Sequence, residues 1–215
     1  MDGEPRWGRG WISLGLWIGL ESVLFLSVLA VGIFGPAAVS AVRGDGAWVA
    51  LGPHLLGLGW VVATERRRLL SRLRPSARSV GLGVAAGAAM IVVGGGWSWL
   101  LEAARVEIPD VAQTLRGLVP SQALLLLWGA ALVPFVEEAW FRGRFLDAVR
   151  DRLDARWALL LTSVLFAAVH GIAVFVPAYV AMAAILFALR ERTGGLVAPI
   201  VAHAVNNAWG LLIPS

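Results

Sequence analysis

The chain contains no cysteine, no lysine and a single tyrosine, and only 15% of its 215 residues are charged. Without cysteine there can be no disulfide, no thiol nucleophile and no cysteine-held metal. Without lysine, all 18 basic groups are arginine, and they gather in a few loops rather than along a soluble basic face interleaved with aromatics. That pattern excludes a nucleic-acid-binding reading and points to membrane orientation. In place of charge there is hydrocarbon: 59% of residues are hydrophobic and the mean hydropathy is +0.77, far too apolar for a water-soluble globule of this length. The composition is that of a polytopic membrane protein.

Apolar runs of roughly 20 residues, the length a helix needs to cross about 30 Å of hydrocarbon, occur near residues 11–33, 41–64, 80–101, 121–141, 157–174, 177–190 and 194–213. They predict an all-α, polytopic transmembrane bundle of about seven to eight helices, folded as one integral domain over residues 1–215. Gly171 and Pro177 interrupt one long run between the segments at 157–174 and 177–190, and the latter is short for a crossing of its own, so a tilted, bent or re-entrant segment is expected there. Arg66, Arg67, Arg68, Arg72, Arg74 and Arg78 lie between the second and third runs, and Arg144, Arg150, Arg152 and Arg156 follow the fourth. Both loops are expected on the cytoplasmic side. The loop with Glu102, Glu107 and Asp110 is expected on the other side. Asp2, Glu4, Arg6 and Arg9 precede a first run without a clear small-residue cleavage signal, which predicts a retained first span and a cytoplasmic N-terminus. The arginine-only, alanine-rich and glycine-rich composition suggests a GC-rich prokaryotic genome and hence a prokaryotic plasma membrane. Gly15 with Gly19 and Gly83 with Gly87 are spaced for close helix packing in lipid.

Charged groups at membrane depth persist where they face a protein interior or a wet cavity. Glu137, Glu138 and Arg142 stand at the end of the fourth run, and His170 and His203 lie in later ones. On a helix, Glu138 and Arg142 are four residues apart and can pair on one face, whereas Glu137 is turned about 100° away. One carboxylate is then neutralised and the other is free to act as a base toward water. Phe166 with His170, and His203 with Asn207, repeat the four-residue spacing, so each helix delivers its polar groups in one direction. The plainer alternatives are a solvated glutamate pair at the interface and histidines that merely satisfy packing hydrogen bonds. Glu21 serves equally well as a helix-helix hydrogen-bonding group, and His54 is expected to cap a carbonyl freed by Pro53. Trp97, Trp99 and Trp157 are expected to be interfacial anchors.

Glu137, Glu138, Phe141, Arg142 and Gly143 resemble an EExxFRG segment, Phe166 and His170 an FxxxH segment, and His203 and Asn207 an HxxxN segment. Three motifs in this order resemble the CAAX-protease and bacteriocin-processing (CPBP, or Abi) intramembrane proteases, related to the type II CAAX prenyl endopeptidases. The resemblance covers about residues 120–213; the N-terminal runs carry no comparable signature. It implies that Glu137 and His170 activate a water, that His203 and Asn207 donate to a tetrahedral oxyanion, and that Glu138, Arg142 and Phe166 support them. It also implies a peptide or lipid-modified protein substrate arriving from the bilayer. Glu137, His170 and His203 have the ligand types of a catalytic zinc site, but no HExxH helix is present, and a glutamate-dependent hydrolysis without a cofactor is the favoured expectation.

Two other functions use the same residues. In a small proton- or ion-coupled transporter, Glu137, His170 and His203 would form a relay, and Asn207 would be dispensable. A non-catalytic immunity or scaffold protein would keep the residues without using them.

Overall fold

The structure, a computed structural model, describes residues 46–119 and 121–213. The first apolar run, with Gly15, Gly19 and Glu21, lies outside the described residues. The rest is helical and contains no strand among the described residues. The elements are α1 (Gly46–Arg72), α2 (Ala77–Ala103), the short α3 (Val111–Leu118), α4 (Gln122–Arg150), α5 (Ala155–Val169), α6 (Val176–Thr193) and α7 (Val197–Leu212). An all-α membrane bundle is what the hydropathy requires, because a helix satisfies its own backbone in lipid.

Among the described residues three helices are long and apolar enough to span: α2, α4 and α6 with the 3₁₀ turn before it, Ala173–Thr193. The last of these corrects the expectation for 177–190. The helix gathers Ala173–Phe175 at its start and keeps Arg190 and Arg192 in its last turn, giving a full crossing length. The fourth span likewise extends past 141 to Arg150, because the charged residues after Phe141 stay within the helix. Conversely, the fifth run ends at His170 rather than 174, where Gly171 takes φ +69° and breaks the helix. Fifteen residues at about 1.5 Å each make α5 roughly 22 Å long, shorter than the hydrocarbon core.

Polar residues outside the spans set the helix starts. Ser76 and Ser79 form a reciprocal capping box at α2, and Asp110 accepts from Gln113 at α3. Asp154 accepts the first N–H groups of α5, and the N–H of Trp157 foremost holds its carboxyl below the ordinary range. Gly194, at φ +65°, closes α6.

At one end of the bundle α1, α4, α6 and α7 are tied together. Arg72 and Arg190 both pair with Asp147, and the N–H of Leu196 donates to the Arg72 carbonyl. At the other end Trp97 Nε1 donates to the Val174 carbonyl at 2.7 Å, and Arg116 donates to Leu211. Trp97 is therefore an interhelical bridge rather than the interfacial anchor expected of it. Trp99 and Trp157 are more than half exposed, as anchors would be. Exposed Leu56, Val92, Leu127, Leu160 and Val164 line the outside, the arrangement of a bundle wetted by lipid.

Glycine decides how closely α2 and α7 approach. A Cβ on Gly83 would lie 2.7 Å from the Ala198 carbonyl oxygen, and one on Gly87 would lie 2.8 Å from that of Ala202. The two backbones are in direct contact, the small-residue packing expected of Gly83 and Gly87. This contact fixes α7, which carries His203 and Asn207.

Candidate active site

The site is built around α4, which is not a uniform α-helix. It widens into π-helical turns at Leu127–Leu132 and again at Ala139–Phe145. The first has a local cause. The N–H of Val133 bonds five residues back to Trp128, and the next bond in that register would run from Pro134 to Gly129. Proline has no N–H to donate, so the Gly129 carbonyl needs another partner. Asn207 of α7 supplies it through Nδ2 at 3.0 Å. The approach is possible because Gly129 has no side chain; a Cβ there would lie 2.7 Å from Leu211.

Each π-helical turn rotates the residues after it to a new facing, and such turns recur at functional sites. Every residue from Val136 to Gly143 is buried. Within that stretch Glu138, 0% exposed, accepts from Arg142 Nη1 at 3.0 Å and from His203 Nδ1 at 2.9 Å, both on Oε1. Arg142 also donates to the Ala183 carbonyl of α6 at 3.2 Å and lies 4.5 Å from the centre of the Phe166 ring. The i, i+4 pair read from the sequence is present, and it is a four-helix junction: α4, α5, α6 and α7 each contribute to it. Within the second π-helical segment, the carbonyls of Arg142 and Gly143 are met by Arg190 and Arg72.

Glu137 is the carboxylate left over. It is 6% exposed, its Oε2 has no hydrogen-bond partner, and the nearest cationic or imidazole nitrogen to that oxygen is His203 Nε2 at 3.9 Å. That is beyond direct hydrogen-bonding distance and is the separation at which a bridging water is to be sought. His203 thus spans the pair, with Nδ1 on Glu138 and Nε2 toward Glu137. A carboxylate partner makes Nδ1 the protonated nitrogen.

His170 closes α5. Its Nδ1 is 2.7 Å from the Phe166 carbonyl, an acceptor, so Nδ1 carries the proton and Nε2 is the basic nitrogen of the ring. Its ring contacts Phe166, whose other side is 5.8 Å from the His203 ring. The sequence-predicted residues Glu137, Glu138, Phe141, Arg142, Phe166, His170 and His203 therefore form one connected cluster, buried except for the half-buried His170, and Asn207, one turn further along α7, reaches α4 at Gly129. Asn206 donates to Asn207 Oδ1 at 3.4 Å, which leaves Asn207 as the amide that reaches α4.

His54 is buried against Trp128, whose Nε1 donates to its Nδ1 at 3.4 Å. Among the described residues no group of three or more His, Asp or Glu side chains is placed to hold a metal ion. His203 stands against the glutamates, and the Phe166 ring contacts both imidazoles. Two residues of the site were invisible in the motifs: Gly129, which offers its carbonyl to Asn207, and Tyr179, which packs on His170 at 4.4 Å.

The fold is that of an integral membrane protein whose helices enclose a buried Glu–Arg–His cluster. Residues 119–209 match the model of the family described as type II CAAX prenyl endopeptidase Rce1-like, which relates the chain to the CAAX proteases through the segment that carries all three motifs. The chain matches no curated protein and no solved structure.

Proposed function

We propose that this chain is an intramembrane endopeptidase that hydrolyses a peptide bond in a membrane-associated or lipid-modified substrate. The observation that carries the reading is the division of labour between the two adjacent glutamates. Glu138 is fully buried, with Oε1 held by Arg142 and His203 and Oε2 sealed off without a partner, while Glu137, 6% exposed, has a buried Oε2 without a hydrogen-bond partner 3.9 Å from His203 Nε2. A carboxylate so placed can take a proton from a water as that water attacks the substrate carbonyl carbon. His170, with Nε2 unprotonated, is the second acceptor.

The carbonyl oxygen gains negative charge in that step and needs donors aimed at it. With Nδ1–H committed to Glu138, His203 donates from Nε2 only when its ring carries both protons. Asn207 uses one amide hydrogen on Gly129 and retains a second. Collapse of the tetrahedral species breaks the C–N bond, and the proton held on Glu137 or His170 passes to the leaving amine. Glu138, Arg142 and Phe166 hold the reacting groups in register. Side chains of this chain carry each of these steps.

A cavity of about 510 Å³ between α2 and α6, lined by Val92, Trp97, Trp99, Leu100, Pro177 and Ala181, opens one residue along α6 from Tyr179 and supports a hydrophobic substrate approaching through lipid. The test is cleavage by purified protein in nanodiscs, offered a farnesylated CAAX peptide, the same peptide unmodified, and a transmembrane peptide. Wild-type protein should cleave at least one of them, and Glu137→Gln should abolish that cleavage. Equal rates in the two proteins would end the protease reading.

A further inference from the structure

Tyr179 is the only tyrosine in the chain and belongs to none of the three motifs. Its ring centre is 4.4 Å from that of His170, with the planes 33° apart, and the Phe166 ring is 4.5 Å from His170 at 44°. His170 needs such support. It is the capping residue of α5, directly before Gly171 at φ +69°, so its own helix offers no following turn to pack against the imidazole. The bond from Nδ1 to the Phe166 carbonyl holds one nitrogen at 2.7 Å, and the rings on either side add a constraint on the plane of the imidazole. Two flanking aromatic rings oppose its rotation, and stacked or tilted pairs at this separation are attractive beyond simple burial. Tyr179 is itself braced by Phe175, 5.9 Å away, from the 3₁₀ turn that starts the sixth crossing.

We propose that Tyr179 is a positioning residue for His170: its ring, rather than its hydroxyl, locks the imidazole in one orientation with Nδ1 protonated and Nε2 as the proton acceptor. The inference rests on the protease reading for its kinetic part only. The orientation of His170 is a property of the packing whether or not the chain cleaves anything.

The test uses full-length protein in nanodiscs, with Tyr179→Phe as the conservative variant and Tyr179→Leu as the one that removes the ring. Should the leucine variant fail to fold, Tyr179→Met replaces it, keeping the bulk without a planar face. Histidine ¹⁵N spectra report the tautomer directly, and a His170→Gln spectrum assigns the signal. Wild type and Tyr179→Phe should each show one His170 tautomer, protonated at Nδ1; Tyr179→Leu should show a mixture or an exchange-broadened signal. In cleavage assays Tyr179→Leu should lose about tenfold or more in kcat, the scale of a displaced general base, with KM little changed, while Tyr179→Phe stays close to wild type. An unaltered His170 signal in Tyr179→Leu would overturn the proposal, and so would a Tyr179→Phe variant as impaired as the leucine one. If wild type cleaves no substrate, that failure belongs to the protease reading, and the spectra alone decide this one.

Discussion

At the scale of single residues, the energetics turn on Arg142. It is 1% exposed, bonded to Glu138 and to the Ala183 carbonyl, and placed over the Phe166 ring. Removing one partner of a buried ion pair leaves the other charge uncompensated, which costs roughly 3 to 5 kcal/mol. Arg142→Ala should therefore lower the unfolding midpoint sharply in detergent denaturation. Arg142→Lys should fall between it and wild type, since an ammonium can meet Glu138 but has no planar fork to reach Ala183 as well. Asn207 has two duties that separate experimentally. Asn207→Ala leaves the Gly129 carbonyl without its donor, a buried loss of about 1 to 3 kcal/mol. If the remaining amide hydrogen meets the oxyanion, kcat should also fall on the order of 10²- to 10³-fold. A proton relay would tolerate the change, so retained turnover would count against hydrolysis. The pairing of Glu138 with Arg142 was readable in advance because four residues make one helical turn. The partner of Asn207 was not, because Gly129 becomes an acceptor only through the missing N–H of Pro134 in a widened turn.

At the scale of elements, the close approach of α2 to α7 matters most to the site. Gly83 and Gly87 meet backbone oxygens of α7 at distances no Cβ tolerates, whereas a Cβ on Gly95 would meet nothing within 4 Å. Gly83→Ala and Gly87→Ala should each destabilise by about 1 to 3 kcal/mol, as overpacking does, and should lower activity by displacing His203 and Asn207. Gly95→Ala should be neutral or slightly stabilising, since alanine is the better helix former by up to about 1 kcal/mol. Thermal melts of the three variants decide it; equal melts would mean that the glycine contact carries no weight. The spacing of Gly83 and Gly87 was visible in the sequence, but its partner helix was not. The π-helical turns of α4 were not legible either. Hydropathy reports how apolar a run is, and it is blind to a register change inside it.

At the scale of the whole molecule, charge and architecture agree. Arg72, Arg150 and Arg190 lie at the end of the bundle where α1, α4 and α6 meet, and Glu102, Glu107 and Asp110 follow α2 at the opposite end. The natural absence of cysteine makes the orientation directly measurable. An impermeant maleimide should label Glu107→Cys on intact cells, but Arg74→Cys and Asp151→Cys only after the membrane is opened; the reverse pattern would invert the assignment. What the linear chain determined alone was its solvent, its helical class, the order of three motifs and the Glu138–Arg142 pair. All of these come from composition or from contacts within one turn. Tertiary structure decided that His203, 65 residues from Glu138, is the imidazole set between the two glutamates. It also decided that Asn207 reaches Gly129, that Tyr179 stacks on His170 and that Trp97 bridges two helices. Those outcomes depend on the distance and rotation between separate helices, which small residues and a proline-widened turn set, and no local pattern encodes them.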